Sequence, residues 1–412
     1  MEMPSLSGGA AVMTGLILYV ALFLIGTETF LVSPLLPSIA LDLGRSPNDA
    51  AAIVNAYALS YAVLAPVLAI VTDGTQRRIG IIVGMFLFLV GNLVSSLSSG
   101  LDWLIVARGV GGLGAALAGP AIWALLADLA SAAGRGRAIG LGMAAFSLGQ
   151  VAGVPIGSFV AAQFGWRSPF GAIAGLSLLL VLAAGAVLPA LKGAPDRSGS
   201  PPARRLFGVW LQRETAVALV ITFFFHAANL GAYTFLGVDL TRRFDLSAQQ
   251  LGLVGVLVGT GSVVGALIGR KVPLPNAWGA SDPASRLPVW SVLLGLSIVG
   301  ASVSGTIGAV ALCVFLWFAA SGAFVSDQQT LLATLAPMRR ASASSWNTTT
   351  MHIGTACSVW AIGFDKEASP DVLPVVPILA GAAFLVALRL IVLLRRPVPL
   401  DDGLSPGFSS KN

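Results

Sequence analysis

Apolar stretches recur along almost the whole chain, each close to or longer than the roughly 20 residues that an α-helix needs to cross a bilayer. Short polar connections separate them, as between membrane spans. Composition agrees, because 56% of the 412 residues are hydrophobic and only 10% are charged, against roughly 25% charged residues in soluble domains. The pattern predicts a polytopic, all-α membrane protein and leaves no stretch for a soluble domain.

We predict twelve transmembrane helices, and the first is retained because its leader, Met1 to Ala10, has no Lys or Arg and its apolar run is too long for a signal peptide. The predicted spans are 13–38, 48–72, 79–98, 102–129, 136–163, 169–190, 215–240, 248–269, 288–306, 308–335, 342–363 and 373–394.

The longest polar connection lies near the middle of the chain and divides the helices into two sets of six. A faint internal repeat agrees, since Glu28-Thr29-Phe30-Leu31 resembles Tyr233-Thr234-Phe235-Leu236, and such repeats mark transporter halves related by symmetry. We therefore predict two pseudo-symmetric six-helix bundles. The predicted domains are 1–190 (N-terminal bundle), 191–213 (cytoplasmic linker), 214–396 (C-terminal bundle) and 397–412 (cytoplasmic tail).

The distribution of Lys and Arg predicts the orientation, because basic residues concentrate in cytoplasmic loops. With both termini inside, 17 of the 24 basic residues become cytoplasmic, and Arg286 is assigned to the loop before helix 9. A basic rim suits an anionic leaflet, so the pI near 9.8 requires no nucleic-acid partner. A bacterial-type inner membrane is the predicted location.

Sequence motifs of soluble enzymes and metal-binding proteins are excluded by their context. Gly109 to Gly114 fits a dinucleotide-binding pattern, but no strand precedes it and it lies inside a predicted membrane helix. Cys313 and Cys357 lack metal-ligand spacing, and the sequence contains no catalytic triad or metal cluster pattern. We therefore expect neither an enzyme nor a metal or cofactor.

Two charges fall inside predicted spans. A charged side chain in hydrocarbon costs at least about 2.5 to 3.5 kcal/mol on insertion scales, so Glu28 and Arg108 must face protein or a wet cavity. Burial disfavours the charged form of a carboxylate, which makes Glu28 the candidate proton carrier with Arg108 beside it. The alternative is a buried structural ion pair. Trp123 shares the helix face of Arg108 and is a candidate cavity wall.

A polar stripe on helix 7 and polar residues on neighbouring helices are candidates for the substrate cavity. Stripes of this kind either line a path or make interhelical hydrogen bonds, worth roughly 0.6 kcal/mol each in membranes. His226 is the strongest candidate because imidazole can change its charge near neutral pH. The cavity candidates are Trp123, Gln150, Thr222, His226, Asn229, Tyr233, Gln328, Trp346 and His352.

Several motifs resemble those of the major facilitator superfamily, over nearly the whole chain, and within it the twelve-helix drug:proton antiporters near the arabinose-efflux permeases. The segment from Ala69 to Arg78 is similar to the signature loop Gly-x-Leu-Ala-Asp-Arg-x-Gly-Arg-Arg; it keeps Asp73 and departs at Gly74 and Gln76. Helix 4 matches the Leu-x-x-x-Arg-x-x-Gln-Gly-x-Gly-Ala pattern at Leu104, Arg108, Gly112, Gly114 and Ala115, and helix 5 resembles the antiporter motif at Gly149, Gly153, Pro155 and Gly157.

The resemblance implies roles for these residues. Asp73, Arg77 and Asp128 look like a charge relay that fastens helices when the cytoplasmic side is closed; the alternative is topology control by Arg77 and Arg78 alone. The glycine motif marks exporters, although close helix packing explains the same residues. One departure concerns helix 1, where some relatives place their Glu at the position of Thr29, about 100° from Glu28 on a helix of 3.6 residues per turn.

These observations together predict a monomeric secondary active transporter that exports a small amphipathic, drug-like or sugar-like solute while protons enter. Its partners would be the solute, protons and the lipid bilayer, with the proton gradient as driving force. Two alternatives remain open: proton-coupled uptake, which uses the same fold in the other direction, and a transport-inactive receptor or assembly factor.

Overall fold

A computed structural model describes residues 8–71, 77–131, 134–189, 206–271, 283–337, 339–364 and 370–395. Twelve long helical segments make up most of these residues, which contain no β-strand. The segments are α1 Gly8–Asp42, α2 Ala52–Val71, α3 Arg77–Leu97, α4 Leu101–Leu129, α5 Arg135–Leu148 continued by a π-helical turn Gly149–Gly153 and by Val154–Phe164, α6 Ser168–Val187, α7 Arg213–Phe244, α8 Ala248–Ile268, α9 Pro283–Val303, α10 Ile307–Leu335, α11 Arg340–Ile362 and α12 Val376–Leu394.

Ten of these helices are long and apolar enough to cross a bilayer, counted over the described residues. α11 falls outside that set because it is polar, and α2 is not counted because its side chains are described only as far as Pro66. α11 carries a run of hydroxyl and amide side chains that includes Asn347 and Thr349, together with His352, and these three side chains are buried against other helices. A helix this polar is tolerated at membrane depth because protein, and not lipid, surrounds its polar face.

The helices form two bundles, each with its own hydrophobic core. Leu18, Phe88 and Phe170 are fully buried in the first half, and Phe225 and Phe324 in the second. Across the boundary α1 packs on α7, α2 on α11 and α5 on α8. The predicted all-α fold of two six-helix bundles is confirmed.

Short connections make successive helices antiparallel, so the loops alternate between two sides of the bundle. We call the side at which α1 begins and α12 ends the terminal side, and the other the far side. The connections α1–α2, α3–α4, α5–α6, α7–α8, α9–α10 and α11–α12 lie on the far side.

The start of α9 differs from the prediction. The helix begins at Pro283, five residues before the predicted span, and Pro288 lies inside it. The assignment of Arg286 to a cytoplasmic loop is therefore wrong: this residue is buried in α9 and paired with Asp327 of α10.

The far-side halves of α1 and α7 form hydrogen bonds that link the two bundles. The Ser33 hydroxyl donates a 2.5 Å hydrogen bond to the carbonyl oxygen of Tyr233, and the Tyr233 hydroxyl donates a 3.0 Å bond to the carbonyl oxygen of Phe30. Gly237 packs directly on the backbone of Ser33. These contacts hold the two halves together toward the far side.

Candidate functional site

The buried ion pair of the first bundle joins α1 to α4. Nη1 of Arg108 donates to Oε1 of Glu28, and both residues are almost inaccessible, at 3% and 0% exposure. Gly111 lies beside the pair, where a Cβ would be in ordinary van der Waals contact with Glu28 Oε1 at 3.6 Å. Glu28 thus faces α4 inside its own bundle.

Aromatic rings enclose the guanidinium of Arg108. Its Cζ lies 4.7 Å from the ring centroid of Tyr57 and 5.7 Å from that of Phe170, distances at which a cation is attracted by the ring quadrupole. Among the described residues, Glu28 Oε2 and Arg108 Nε make no hydrogen bond of good geometry, and the Tyr57 hydroxyl lies beside the Glu28 carboxylate. Since buried polar atoms are normally satisfied, the pair retains capacity for another polar partner.

At the contact between α2 and α11, residues of the second bundle pack next to this site. The ring centroid of His352 lies 4.3 Å from that of Tyr61 and 6.4 Å from that of Tyr57. One turn earlier, the Thr349 hydroxyl donates a 3.2 Å bond to the carbonyl oxygen of Ala62. Tyr57 therefore contacts the ion pair on one side and a histidine of the opposite bundle on the other.

The predicted polar stripe of α7, formed by Thr222, His226, Asn229 and Tyr233, is buried. Three of its members bond to other helices: Tyr233 to α1, as described above, and Thr222 and Asn229 to α10 and α11. Thr222 donates to Asn347 Oδ1 at 2.7 Å and accepts from Gln328 Nε2 at 2.8 Å. Asn229 donates to the Ser321 hydroxyl at 2.8 Å and accepts from the Trp317 indole at 2.7 Å. These are the interhelical bonds considered as the alternative to a cavity lining.

His226 differs from its neighbours on the stripe. It is 5% exposed, its ring packs 5.8 Å from that of Phe324, and its Nδ1 has no hydrogen-bond partner in the described part of the chain. Gln328 Oε1 and Gln150 Oε1 share this property. Of the predicted cavity residues, these three keep a buried polar atom available for a ligand.

Three other cavity candidates lie in different settings. The Tyr233 hydroxyl is used in the α1–α7 contact. Trp123 is half-buried against α5, close to Gly142. Trp346 lies near the terminal side, where its indole donates a 2.7 Å bond to the carbonyl oxygen of Leu206 and its ring packs against Trp210.

The structure places part of the predicted charge relay at the terminal side. Arg77 Nε and Asp128 Oδ2 are 3.5 Å apart, with side-chain exposures of 20% and 44%. Asp73 lies outside the described residues. The connection between the start of α3 and the end of α4 is therefore a partly exposed ion pair, of the kind that can form and break.

The glycines of the predicted antiporter motif seat α5 against α1. A Cβ on Gly149 would lie 2.7 Å from the backbone N of Thr27, one on Gly153 would lie 2.8 Å from Thr27 Cβ, and one on Gly157 would lie 2.7 Å from Leu31 Cδ1. Pro155 follows the π-helical turn, as expected where a missing donor disturbs the helical ladder.

Sequence reasoning missed a second buried ion pair, in the second bundle. Asp327 accepts hydrogen bonds from Arg286 Nε at 2.8 Å, Arg286 Nη2 at 2.5 Å and the Trp290 indole at 2.8 Å. The available signal was the carboxylate itself, inside a predicted span, where an ionisable residue is unusual. Tyr57 and Tyr61 were also missed, because aromatic residues alone are weak evidence in a membrane helix.

Comparisons with known proteins agree with these features. The sequence profile of the Major Facilitator Superfamily matches residues 18–359. The chain is 28% identical over 352 residues to the uncharacterized MFS-type transporter YceJ of Bacillus subtilis (strain 168), over 83% of this chain and 86% of that protein. It is 26% identical over 370 residues to the chloramphenicol resistance protein of Streptomyces lividans, over 84% and 92% of the two chains.

The fold is similar to that of a bacterial homolog to the human lysosomal transporter Spinster, solved in an inward-facing and unoccupied conformation. The TM-score is 0.70 at 16% identity, over 94% of each chain. At this level of identity the likeness concerns the arrangement of helices.

Proposed function

Because the chain belongs to the Major Facilitator Superfamily, whose members are transporters and not enzymes, we propose that it is a proton-coupled exporter of a small amphipathic solute. It would work by alternating access, as a monomer in a bacterial-type inner membrane. The proton gradient would supply the driving force, without a bound cofactor.

The observation that carries this proposal is the buried pair of Glu28 and Arg108. A carboxylate at 0% exposure is expensive at membrane depth and is therefore a functional candidate by default. One of its oxygens takes the bond from Arg108, and the other has no partner among the described residues. A proton can be accepted at Oε2 while Arg108 stays in place.

Protonation of Glu28 changes the charge balance of the site. With Glu28 ionised, the pair is neutral overall; with Glu28 protonated, the positive charge of Arg108 has no compensating carboxylate. An uncompensated buried charge is costly, so the protonated state favours a conformation in which water reaches Arg108. For exchange, the solute must bind while Glu28 is ionised and leave when Glu28 takes up a proton. Proton and solute binding are thereby coupled through one ion pair.

The position of the pair suits proton access from the far side. Arg108 lies seven residues after the start of α4, which is roughly 10 Å at 1.5 Å per residue. If the terminal side is cytoplasmic, as the Lys and Arg distribution predicts, protons would reach Glu28 from outside. Opening of that path would require the α1–α7 contacts at Ser33 and Tyr233 to separate.

Two observations support export as the direction of transport and an amphipathic molecule as the solute. The chloramphenicol resistance protein of Streptomyces lividans is a relative over most of both chains. The buried groups with unused hydrogen-bonding capacity, including His226 and Gln328, lie among aromatic rings such as that of Phe324. Such a lining binds a mainly apolar molecule that carries a few polar groups.

Proton flux in proteoliposomes tests the proposal. The purified protein would be reconstituted with a pH-sensitive dye inside, and a panel of antibiotics, nucleosides and sugars added. A solute-dependent pH change in the direction of exchange is expected, and it should be lost in Glu28→Gln. If the proton and the solute move in the same direction, the protein is an uptake symporter and not an exporter. If the solute binds but no protons move, the receptor alternative is favoured over both.

A further inference from the structure

A cavity of about 290 Å³ lies at the far side of the second bundle, away from the Glu28–Arg108 pair. It is enclosed by the far-side ends of α7 and α9, by Trp317 of α10 and by residues 370–373, which precede α12. Its volume is near the lower limit of small-molecule pockets, about 300 Å³. The space is therefore suited to one small organic molecule.

The floor of this cavity is aromatic and apolar. Trp317, Phe235 and Ile298 line it and are each only 1% exposed. Trp317 is the eleventh residue of α10, so the cavity reaches roughly 15 Å below the far-side start of that helix. Trp317 uses its indole N–H on Asn229, which leaves the ring and not a donor for a ligand.

The rim of the cavity carries charged groups. Asp239, Asp371 and Arg242 line it, and Arg243 lies beside them, bonded to Asp239. Asp239 already accepts from Arg242 at 3.0 Å and from Arg243 at 2.7 Å. Asp371 is exposed and accepts a 2.9 Å bond from the backbone N of Leu373, so its carboxylate still has room for a cationic partner.

Helix ends add to the negative character of the rim. Both α7 and α9 end here, and the C-terminus of a helix carries a partial negative charge of roughly half an electron. Arg243 divides its donors between Asp239 and the carbonyl oxygens of Ala301 and Ser304 at the end of α9. Among the described residues that line the mouth, Asp371 is the carboxylate that no Arg side chain bonds.

We propose that this cavity is a binding site for a small organic cation with an apolar, aromatic body, reached from the far side. The ammonium group binds Asp371 at the mouth, and the body lies on the floor formed by Trp317 and Phe235. The site is separate from the proposed proton site and does not depend on the direction of transport.

The segment that closes the cavity gives the site a consequence for conformation. Val372, part of that segment, packs against the hydrophobic cores of both bundles. A ligand held between Asp371 and α7 therefore ties this segment to the second bundle. Bound cation stabilises the arrangement in which the far-side ends are together.

The test is direct binding of tryptamine to the full-length protein in lipid nanodiscs, with no gradient, followed by saturation-transfer NMR. Indole-3-propionate and 3-methylindole serve as the anionic and neutral probes with the same ring. We expect saturable binding of tryptamine, at least tenfold weaker in Asp371→Asn and lost in Ala301→Phe, which fills the cavity from α9. Asp102→Asn, which changes an exposed carboxylate at the far-side start of α4, is the matched control and should bind like wild type.

Three results would overturn the site: no saturable binding of tryptamine, equal binding by Asp371→Asn and wild type, or equal binding of all three probes. Because Asp371 is exposed, Asp371→Asn tests the proposal even if Ala301→Phe does not fold. Because no solute is transported in this measurement, its result is independent of the proton-flux experiment.

Discussion

Arg286 of α9 binds Asp327 of α10 with two of its nitrogens, at 2.8 and 2.5 Å, and the Trp290 indole completes the contact. Both carboxylate oxygens of Asp327 are therefore bonded. Glu28, the carboxylate of the other buried pair, has one oxygen with no partner among the described residues. Arg286 and Trp290 thus occupy both oxygens of Asp327, whereas Glu28 keeps one oxygen at which a proton can be accepted. The contrast assigns a structural role to Asp327 and supports the proton-carrier role proposed for Glu28.

Asp327→Asn should strongly destabilise the second bundle. Arg286 would lose the carboxylate that compensates its buried charge, and breaking one partner of a buried pair costs about 3 to 5 kcal/mol. Thermal unfolding in detergent measures the loss. The double variant Arg286→Met with Asp327→Leu removes both charges and should recover much of the stability; unfolding of Asp327→Asn at the wild-type temperature would contradict the structural role.

Glu28→Gln should abolish uphill transport and spare downhill exchange, because the amide can still accept the bond from Arg108 but cannot carry a proton. The measurement compares solute flux in proteoliposomes with and without a pH gradient. Glu214→Gln, at the terminal-side start of α7, is the control and should respond to the gradient like wild type. Gradient-driven flux that survives in Glu28→Gln would mean that another group carries the proton.

Asp128→Asn should slow turnover with little change in stability or in solute binding. The pair with Arg77 is partly exposed, and exposed ion pairs contribute roughly 0 to 1 kcal/mol. A contact made in only one conformation nevertheless shifts the equilibrium between conformations. Transport rate and binding affinity, measured side by side, separate the two effects. The exchanged pair Arg77→Asp with Asp128→Arg should restore part of the rate, and failure to slow in Asp128→Asn would leave topology control as the role of Arg77.

Gly149→Ala should destabilise the first bundle more than Gly157→Ala. The new methyl group at 149 would meet the backbone of α1 at Thr27, whereas at 157 it would meet the side-chain methyls of Leu31, which can rotate away. Overpacking of this kind costs about 1 to 3 kcal/mol. Gly175→Ala in α6, where nothing lies within 4 Å, is the control for both in thermal unfolding. Equal stability of all three variants would show that α1 is not seated on α5 as described.

The all-helical architecture could be predicted because hydrocarbon imposes one requirement on every span, and the apolar runs express it directly. Single charges inside those runs, such as Glu28 and Arg108, were also visible, because each carries a known cost. The sequence did not show which residues these buried charges would pair with. Arg286 was assigned to a loop because the predicted span began at residue 288, whereas the helix already includes residues from Pro283 and Arg286 is buried in it.

The polar stripe of α7 shows a different limit of sequence reasoning. Spacing predicted correctly that Thr222, His226 and Asn229 share one face, but spacing does not say whether a polar side chain meets a solute or another helix. The structure gives Thr222 and Asn229 bonds to α10 and α11. That distinction depends on residues about 100 positions away in the chain, which no local pattern contains.

The polarity of α11 has a consequence for how the protein is made. A segment that carries Asn347, Thr349 and His352 is poorly suited to leave the translocon and enter lipid by itself. Asn347 bonds to α7 and Thr349 to α2, and both of these helices are synthesised before α11. We therefore expect α11 to enter the bilayer late in synthesis, into a position between the two halves that α2 and α7 already border.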